Sequence, residues 1–189
     1  MVNELKESVS PKRMETITLG GGCFWCLEAV FNEVKGVKKV ESGYSGGLSS
    51  NPTYEQVSTG KTGHIEVVQI TFDSEAISFK EILEIYFSTH DPTTLNRQGN
   101  DVGTQYRSVI FYNSIEQKEI SDKAIEDLNS QHIWNSPIVT VVEPLNAFYR
   151  AEGYHDHYFE HHSYQPYCRL IIAPKLVKLR EHLGQKFKL

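Results

Sequence analysis

The chain has 189 residues, and its 24 acidic and 19 basic side chains give a formal charge of −5. Hydrophobic residues make up 39% and charged residues 23% of it, a globular composition that argues against a disordered, collagen-like or coiled-coil protein. The length suits one domain with a sizeable core. An acidic chain has no general attraction for phosphate backbones, so we expect no nucleic-acid partner.

The N-terminal residues 1–13 are polar and contain Pro11, so we expect a loose leader followed by a single catalytic domain over residues 14–189. No secretory signal follows Met1, and no window approaches the ~18 apolar residues of a membrane span. Three cysteines do not make a disulfide framework, which leaves redox chemistry, metal binding or inert core thiols. We expect a cytoplasmic monomer that does not associate with membranes.

Hydrophobic periodicity predicts strands and helices that alternate along the chain. The predicted strands cover residues 14–19, 37–44, 64–73, 106–112, 138–142 and 170–173. The predicted helices cover residues 23–34, 78–90, 114–131, 154–162 and 174–184. Capping boxes at Ser78 and Ser114 open two of them. Residues 45–61 and 91–104 are rich in glycine, asparagine and turn-forming residues and are predicted to be long loops, which in compact domains are usually functional.

This alternation carries no nucleotide-binding fingerprint, so the simplest architecture is an α/β (α+β) two-layer sandwich. In it, helices pack on a mixed or antiparallel sheet. We predict a ferredoxin-like core in which the two long loops belong to the active site.

The segment around Cys23 is the clearest candidate for chemistry. Cys23 follows three glycines and starts a predicted helix, where backbone N–H groups and the helix dipole favour thiolate over thiol. We therefore expect a lowered pKa and a nucleophilic sulfur. The residues alone leave other interpretations open: a thioredoxin-like pair of Cys23 with Cys26, a zinc site of mixed Cys and His ligands, or two buried core thiols.

Several segments together resemble the peptide methionine sulfoxide reductase A family, whose signature is Gly-Cys-Phe-Trp followed by Gly or Cys. The resemblance extends from about Thr16 to Leu183. The matching segments, in the same order as in the family, are Gly22-Cys23-Phe24-Trp25-Cys26, Gly43-Tyr44-Ser45-Gly46-Gly47, Asn51-Pro52-Thr53-Tyr54-Glu55, Thr62-Gly63-His64-Ile65-Glu66, residues 97–108, Glu152-Gly153-Tyr154-His155 and Gln165-Pro166-Tyr167-Cys168. Each motif alone is weak, but their shared order is highly specific.

The resemblance implies a role for each matching residue. The thiolate of Cys23 attacks the sulfoxide sulfur, methionine leaves, and a sulfenic acid remains. Glu66 acts as the general acid, with a pKa raised by an apolar pocket. Tyr54 and Tyr106 donate hydrogen bonds to the sulfoxide oxygen. Asp101 orients polar groups or water nearby. Taken alone, Glu66 is better explained as a solvent-facing residue on the polar side of its strand, and Asp101 could equally be a simple turn residue.

The resemblance also implies how the substrate is recognised. Phe24 and Trp25 form an apolar pocket for the S-methyl group, so that free and protein-bound methionine sulfoxide both enter. The A class implies the S epimer, and the enzyme would repair oxidised proteins. We expect His155 to pack toward this site. His157 and His161 have the i, i+4 spacing of some zinc ligands, but the reaction needs no metal, and we expect none.

Recycling of the sulfenic acid has two candidate cysteines. Cys26 lies one helical turn from Cys23. Cys168 lies in a C-terminal segment, and some relatives have a recycling cysteine in a comparable segment. By this resemblance we favour Cys168. Many family members instead use cysteines in a flexible C-terminal tail, which this sequence lacks. No cofactor motif is present, so the electrons are expected to come from an external dithiol, by resemblance thioredoxin.

Overall fold

The fold is built on a six-stranded mixed sheet, and the computed structural model describes residues 14–188 of the chain. The predicted leader over residues 1–13 lies outside the described residues. The strands are β1 (Met14–Gly20), β2 (Val37–Ser45), β3 (Ile65–Asp73), β4 (Arg97–Gln98), β5 (Asp101–Val102), β6 (Val109–Tyr112), β7 (Val141–Pro144) and β8 (Tyr149–Arg150). The α-helices are α1 (Phe24–Asn32), α2 (Tyr54–Ser58), α3 (Phe79–Thr89), α4 (Ile115–Ser130), α5 (Tyr158–His161) and α6 (Ala173–Leu183).

Four strands form the centre of the sheet in the order β6-β1-β3-β2, and each is antiparallel to its neighbour. Helix α1 connects β1 to β2 across β3, and α3 connects β3 to β6 across β1. This arrangement confirms the predicted ferredoxin-like core. Strand β7 adds in parallel to β6 and β8 adds antiparallel to β2, so the sheet is mixed. The hairpin of β4 and β5 forms a separate small sheet.

The helices cover one face of the sheet and contain most of the core. On β3 the alternation of side chains puts Val68, Ile70 and Phe72 on the helix-facing side, where they join the same buried cluster as α1. Ile65 and Val67 point to the opposite face and belong to a smaller cluster. Because side chains alternate with period two, Glu66 lies on the helix-facing side, directly beside the start of α1.

Local sequence signals account for several helix starts. The predicted capping box is present at Ser78, where the hydroxyl accepts from the Glu81 N–H and the Glu81 carboxylate returns to the Ser78 N–H. Ser114 also caps α4, although the Gln117 side chain bonds to the N–H of Asn113 instead. Within residues 14–188, no helix combines the length and the apolar content needed to cross a membrane.

Four predicted elements differ from the structure, one of them the strand predicted over 138–142, which is found at Val141–Pro144. The predicted strand over 170–173 is wrong: residues Cys168–Ile172 form a π-helical turn that runs into α6. A short apolar run does not distinguish strand from helix, and the burial of Cys168 and Ile172, four residues apart, follows the helical period. The predicted strand over 106–112 begins only at Val109, and the predicted helix over 154–162 is helical at 153–155 and 158–161.

The two long loops also contain short regular elements. Helix α2 lies inside the first loop and starts at Thr53, whose side chain forms a capping box with Gln56. The hairpin of β4 and β5 lies inside the second loop. Both elements are too short to give a periodic hydrophobic pattern, which explains why the sequence indicated loops there.

Candidate active site

The glycine turn before α1 packs closely against neighbouring side chains. The Tyr86 hydroxyl donates to the Gly20 carbonyl at 2.7 Å. A Cβ on Gly21 would lie 3.0 Å from the His90 ring, and one on Gly22 would lie 2.7 Å from the Gln98 side chain. Gly22 also has a φ of +89°, a conformation that favours glycine. The turn therefore has room for backbone only, which fixes where the next residue sits.

Cys23 is that next residue, and it is the N-cap of α1, with an extended backbone. Cys23 is only 8% exposed, so it is almost entirely buried. The N–H of Phe24, one of the free amides at the helix start, donates to the Glu66 carboxylate at 3.1 Å. The helix start thus joins the predicted nucleophile and the predicted acid.

Glu66 is 1% exposed and lies among core residues of β3. The alternative that this carboxyl faces solvent is therefore wrong. Burial raises the pKa of Glu66 to about 8, although the hydrogen bond from the Phe24 N–H opposes the shift. The pKa therefore lies above neutrality, so the carboxyl is mainly protonated at pH 7 and holds a proton that it can donate.

The expected lowering of the Cys23 pKa is wrong. Burial raises the pKa of Cys23, and a hydrogen bond with Cys26 and the charge of Glu66 act in the same direction. The pKa of Cys26 falls to about 7, foremost because the Cys23 thiol hydrogen-bonds to it, against the effect of burial. The two thiols therefore titrate as a pair that loses a first proton near neutrality. The helix start favours the thiolate, but burial, which the sequence does not show, outweighs it.

Tyr54 and Tyr106 converge on this pair from the two loops. Tyr54 is the first residue of α2, and Tyr106 is the last residue of a 3-10 turn. The Tyr106 carbonyl accepts a hydrogen bond from the Gly22 N–H at 3.1 Å. Burial raises the pKa of Tyr54 to about 12, and the charges of Glu66 and Cys23 add to the effect. Burial and the same two charges also raise the pKa of Tyr106. Both phenols keep their protons at neutral pH and can act as donors.

An aromatic wall lies beside Cys23. The ring of Phe24 is 4.9 Å from that of His155 and 6.4 Å from that of Tyr54. Trp25 stacks on Tyr158 at 3.7 Å, with the planes 5° apart. His155 packs toward the site, as expected, and its Nδ1 accepts from the Trp25 indole N–H at 2.9 Å. Burial lowers the pKa of His155, so the ring is neutral and carries its proton on Nε2.

Two carboxylates that the sequence analysis did not single out hold this wall. Glu152 accepts from the Tyr44 hydroxyl and from the Tyr54 N–H, each at 3.0 Å, and so fixes the start of α2. Glu28 is 2% exposed and accepts from the N–H groups of His157 and Tyr158, at 2.9 and 3.3 Å. Burial raises the pKa of Glu28. A glutamate inside an apolar helical run, Cys-Leu-Glu-Ala-Val, was the available signal for Glu28.

Asp101 makes a specific contact that turn geometry alone does not require. Its carboxylate accepts from the Tyr167 hydroxyl at 2.7 Å. The same phenol oxygen lies 3.6 Å from the Cys26 sulfur. The sequence placed Tyr167 in a family motif but did not indicate its contact with Asp101, because the two residues lie 66 positions apart.

Cys168 and the histidine cluster lie at the edges of this site. Cys168 is fully buried in the π-helical turn, and burial, followed by the charge of Cys26, raises its pKa. His157 and His161 place their ring centres 6.5 Å apart on the surface. Among residues 14–188, no group of three or more His, Cys, Asp or Glu side chains is arranged to hold a metal ion.

Comparison with known proteins identifies related sequences along nearly the whole chain. A family model described as peptide methionine sulfoxide reductase matches residues 15–187. The peptide methionine sulfoxide reductase MsrA of Trichodesmium erythraeum is 57% identical over 169 residues, which cover 89% of this chain and 96% of that protein. The MsrA of Saccharolobus solfataricus is 56% identical over 176 residues, which cover 93% and 98%.

Solved structures agree with the sequence matches. The reduced form of Mxr1 from Saccharomyces cerevisiae superimposes with a TM-score of 0.76 at 33% identity, covering 84% of this chain and 91% of that one. Methionine sulfoxide reductase A of Corynebacterium diphtheriae gives a TM-score of 0.72 at 35% identity, covering 84% and 80%. The chain therefore belongs to the peptide methionine sulfoxide reductase family, whose members are oxidoreductases that act on sulfur.

Proposed function

We propose that Cys23 is the nucleophile and Glu66 the general acid of an enzyme that reduces the S epimer of methionine sulfoxide, free or in oxidised proteins. The observation that carries this assignment is the junction at the start of α1. There a buried thiol and a buried carboxyl with a pKa of about 8 are joined by one backbone amide. A sulfoxide needs both a nucleophile for its sulfur and a proton for its oxygen, and these two groups supply them.

The thiol pair provides the electrons and one proton transfer. In the ionised pair, Cys26 carries the negative charge and Cys23 holds the proton between the two sulfurs. As Cys23 attacks the sulfoxide sulfur, its proton moves to Cys26, and Glu66 gives its own proton to the oxygen. The products are methionine, the sulfenic acid of Cys23, the Cys26 thiol and the Glu66 carboxylate. Atoms and charge balance, with one negative charge before and after.

The oxygen gains negative charge as the sulfur is attacked, and the two phenols are suited to hold it. Tyr54 and Tyr106 stay protonated at neutral pH because burial and the charge of Glu66 raise their pKa values. Preorganised donors in a site shielded from water stabilise such a charge far more than solvent does. Loss of one donor is expected to reduce kcat about 10²-fold or more.

The aromatic wall supports recognition of the S-methyl group. Phe24 is fully buried and Trp25 is partly exposed, and the two aromatic residues directly follow Cys23, so the wall offers an apolar surface next to it. A methyl group gains from burial against aromatic rings, whereas the wall makes no demand on the peptide that carries it. Resemblance to the A class supplies the epimer, because each class reduces one sulfoxide epimer.

For recycling, we propose Cys26 as the thiol that resolves the sulfenic acid, in place of the Cys168 favoured from sequence. Cys26 and Cys23 share a hydrogen bond, whereas burial and then the charge of Cys26, not Cys23, raise the pKa of Cys168. A dithiol of the thioredoxin type would reduce the resulting disulfide. Mxr1 from Saccharomyces cerevisiae has been solved in complex with Trx2, which supports this class of reductant.

We also propose that the enzyme works in the cytoplasm as a single catalytic domain. All three cysteines are unpaired, a state that reducing compartments maintain. The candidate nucleophile, acid, phenols and resolving thiol all lie on one ferredoxin-like core, with no second core needed to complete the site.

The test is coupled reduction of the resolved S and R epimers of a blocked methionine sulfoxide, with thioredoxin as reductant. Wild type should turn over the S epimer alone, and Cys23→Ser should have no activity, because serine does not form a sulfenic acid. Cys168→Ser serves as the control that removes a buried thiol outside the proposed pair, and it should retain turnover. Activity on the R epimer, or full activity of Cys23→Ser, would overturn the assignment. Turnover of a disulfide substrate without sulfoxide reduction would favour a thiol–disulfide oxidoreductase instead.

A further inference from the structure

Tyr167 occupies a position that the reduction of the sulfoxide does not use. Its hydroxyl donates to the Asp101 carboxylate at 2.7 Å, and its oxygen lies 3.6 Å from the Cys26 sulfur. A phenol has one proton to donate. While that proton goes to Asp101, a Cys26 sulfur that carries a proton donates it to the phenol oxygen across the 3.6 Å contact, in which either atom can be the donor. The three groups thus form a directed chain from sulfur to carboxylate.

The need for such a chain arises after the first step. In the reduced protein, the hydrogen bond from Cys23 is the largest cause of the lowered pKa of Cys26. Once Cys23 is a sulfenic acid, its thiol proton donor no longer exists, and Cys26 holds a proton that must leave before its sulfur can attack. A buried thiol that loses a hydrogen bond of this kind becomes a poorer nucleophile, because burial raises its pKa.

On this basis, and resting on the proposed function, we propose that Tyr167 and Asp101 form a proton relay that activates Cys26 when it resolves the Cys23 sulfenic acid. In this step the Cys26 S–H bond and the Cys23 S–OH bond break, and the disulfide bond forms. The Cys26 proton passes to the Tyr167 oxygen while the Tyr167 proton passes to Asp101. Glu66, which regains a proton from solvent after the first step, gives it to the departing hydroxide, which leaves as water. Asp101 and Glu66 then return to their starting states by exchange with solvent.

The location of Asp101 suits the end of a relay. It lies on the β4–β5 hairpin and is partly exposed, so a proton that reaches it can pass to water. Tyr167 is partly buried and its ring packs edge-on against Trp25 at 6.0 Å, which holds the phenol between the carboxylate and the sulfur. When an external dithiol later reduces the disulfide, the same chain in reverse carries a proton from water through Asp101 and Tyr167 to the departing Cys26 thiolate.

Other titratable and charged groups face this chain and affect how its proton transfer depends on pH. The groups that act on Cys26 are Cys23, Tyr167, Asp101 and Lys175, and the charge of Lys175 favours its thiolate. Glu66 and Cys168 respond in turn to the charge of Cys26. A lysine ammonium group has donors but no acceptor, so Lys175 stabilises the anion without replacing the relay.

The experiment follows one turnover without external reductant. Reduced protein is mixed with one equivalent of methionine sulfoxide between pH 6 and 10, and released methionine, trapped sulfenic acid and disulfide are measured over time. In Tyr167→Phe the sulfenic acid should accumulate at pH 7, with disulfide formation slowed about 10- to 100-fold. The deficit should shrink toward pH 10, where Cys26 ionises unaided. Tyr164→Phe removes an exposed phenol nearby and should match wild type.

The Asp101→Asn variant separates a relay from a structural contact. Asparagine can still accept the phenol hydrogen bond but does not take up its proton, so disulfide formation should slow about 3- to 10-fold. The double variant should be no slower than Tyr167→Phe alone, because Asp101 acts through Tyr167. A deficit of equal size at every pH would show a structural role and overturn the relay.

Further outcomes distinguish the relay from the function on which it rests. If wild type releases no methionine, the proposed function fails and the relay with it. If methionine is released but Tyr167→Phe forms disulfide at the wild-type rate and pH profile, only the relay fails. If Cys26→Ser still forms a disulfide at the wild-type rate, Cys26 is not the resolving thiol, and the relay is likewise overturned.

Discussion

The reaction centre and the wall beside it are built in different ways. Cys23 and Glu66 lie on regular elements: the first is the N-cap of α1, and the second lies in β3 at the centre of the sheet. The C-terminal part of the wall, His155 and Tyr158, lies on short 3-10 and α-helical turns, with His157 between them in a left-handed conformation. The centre is fixed by the sheet core, whereas single side-chain contacts hold the wall.

This difference indicates how the work of the site is divided. A nucleophile and an acid must stay aligned to within a fraction of an ångström, which packed strands and helices provide. A wall that admits many peptides benefits from a surface that can adjust. Changes in the centre should therefore lower kcat, and changes in the wall should raise KM with a smaller effect on kcat.

The largest effect is expected from Cys23. Replacing it by serine leaves an alcohol that is not a nucleophile at neutral pH and does not form a sulfenic acid, so kcat should fall at least about 10⁴-fold. Steady-state reduction of the S epimer measures this. Circular dichroism should show an unchanged fold, and turnover above one thousandth of wild type would contradict the assignment of the centre.

Glu66→Gln should lower kcat about 10²- to 10³-fold, because the proton donor is lost while the hydrogen bond from the Phe24 N–H can persist. The wild-type rate should fall as the pH rises through about 8, the pKa of Glu66, and this alkaline limb should be absent in the variant. Rates from pH 5 to 10 test both points. Glu119→Gln, an exposed change on α4, should keep the wild-type profile.

The same substitution should stabilise the protein. The pKa of Glu66 is raised in the folded state, so its contribution to stability is complete below the unfolded-state pKa of about 4.5 and is lost as the pH rises through about 8. Glutamine does not titrate, so the variant does not lose stability in this pH range. Denaturant unfolding of Glu66→Gln and wild type should agree near pH 4 and differ by about 4 kcal/mol at pH 8 in favour of the variant. A less stable variant at pH 8 would contradict the buried protonated acid.

In the wall, Glu28→Gln tests the buried anchor. The carboxylate accepts from the N–H groups of both His157 and Tyr158, and an amide can offer only one oxygen to them. We expect a loss of about 1–3 kcal/mol in the free energy of unfolding and a KM raised about 5-fold, with kcat within 2-fold. A kcat loss without a change in KM would show that this segment belongs to the reaction centre instead.

The smallest effect is expected from Tyr158→Ala. It removes the ring that stacks on Trp25 at 3.7 Å, so KM should rise about 2- to 5-fold through a less ordered indole. Trp25 lies in the wall, and its fluorescence should shift with the variant. Tyr164→Ala, an exposed tyrosine in the same segment, is the matched control and should change neither quantity.

Much of the fold could be predicted because its signals are local. The alternation of apolar residues in β1 and β3 and the capping box at Ser78 depend on neighbours within a few positions. The strand predicted over 170–173 failed because three apolar residues in a row fit a helical turn equally well. Helix α2 and the β4–β5 hairpin were missed because elements this short carry no period.

The candidate site, like the fold, could be predicted only where its signals are visible in the sequence. Cys23, Glu66, Tyr54 and Tyr106 were found from motifs whose order along the chain is specific. The pKa of Cys23 was predicted in the wrong direction, because helix-start amides are visible in the sequence and burial is not. Glu28 and Glu152 were missed because their partners lie 98 to 130 positions away.

By itself, the sequence determined the order of the main elements, the thiol placed at a helix start and the motifs that mark the family. Only the tertiary structure decided that Glu66 is buried and protonated, that Cys26 shares a hydrogen bond with Cys23, and that Tyr167 lies between Asp101 and Cys26. The physical reason is that local geometry follows from neighbours in the chain. Desolvation and contacts between distant residues exist only once the sheet, the loops and the C-terminal turns pack together.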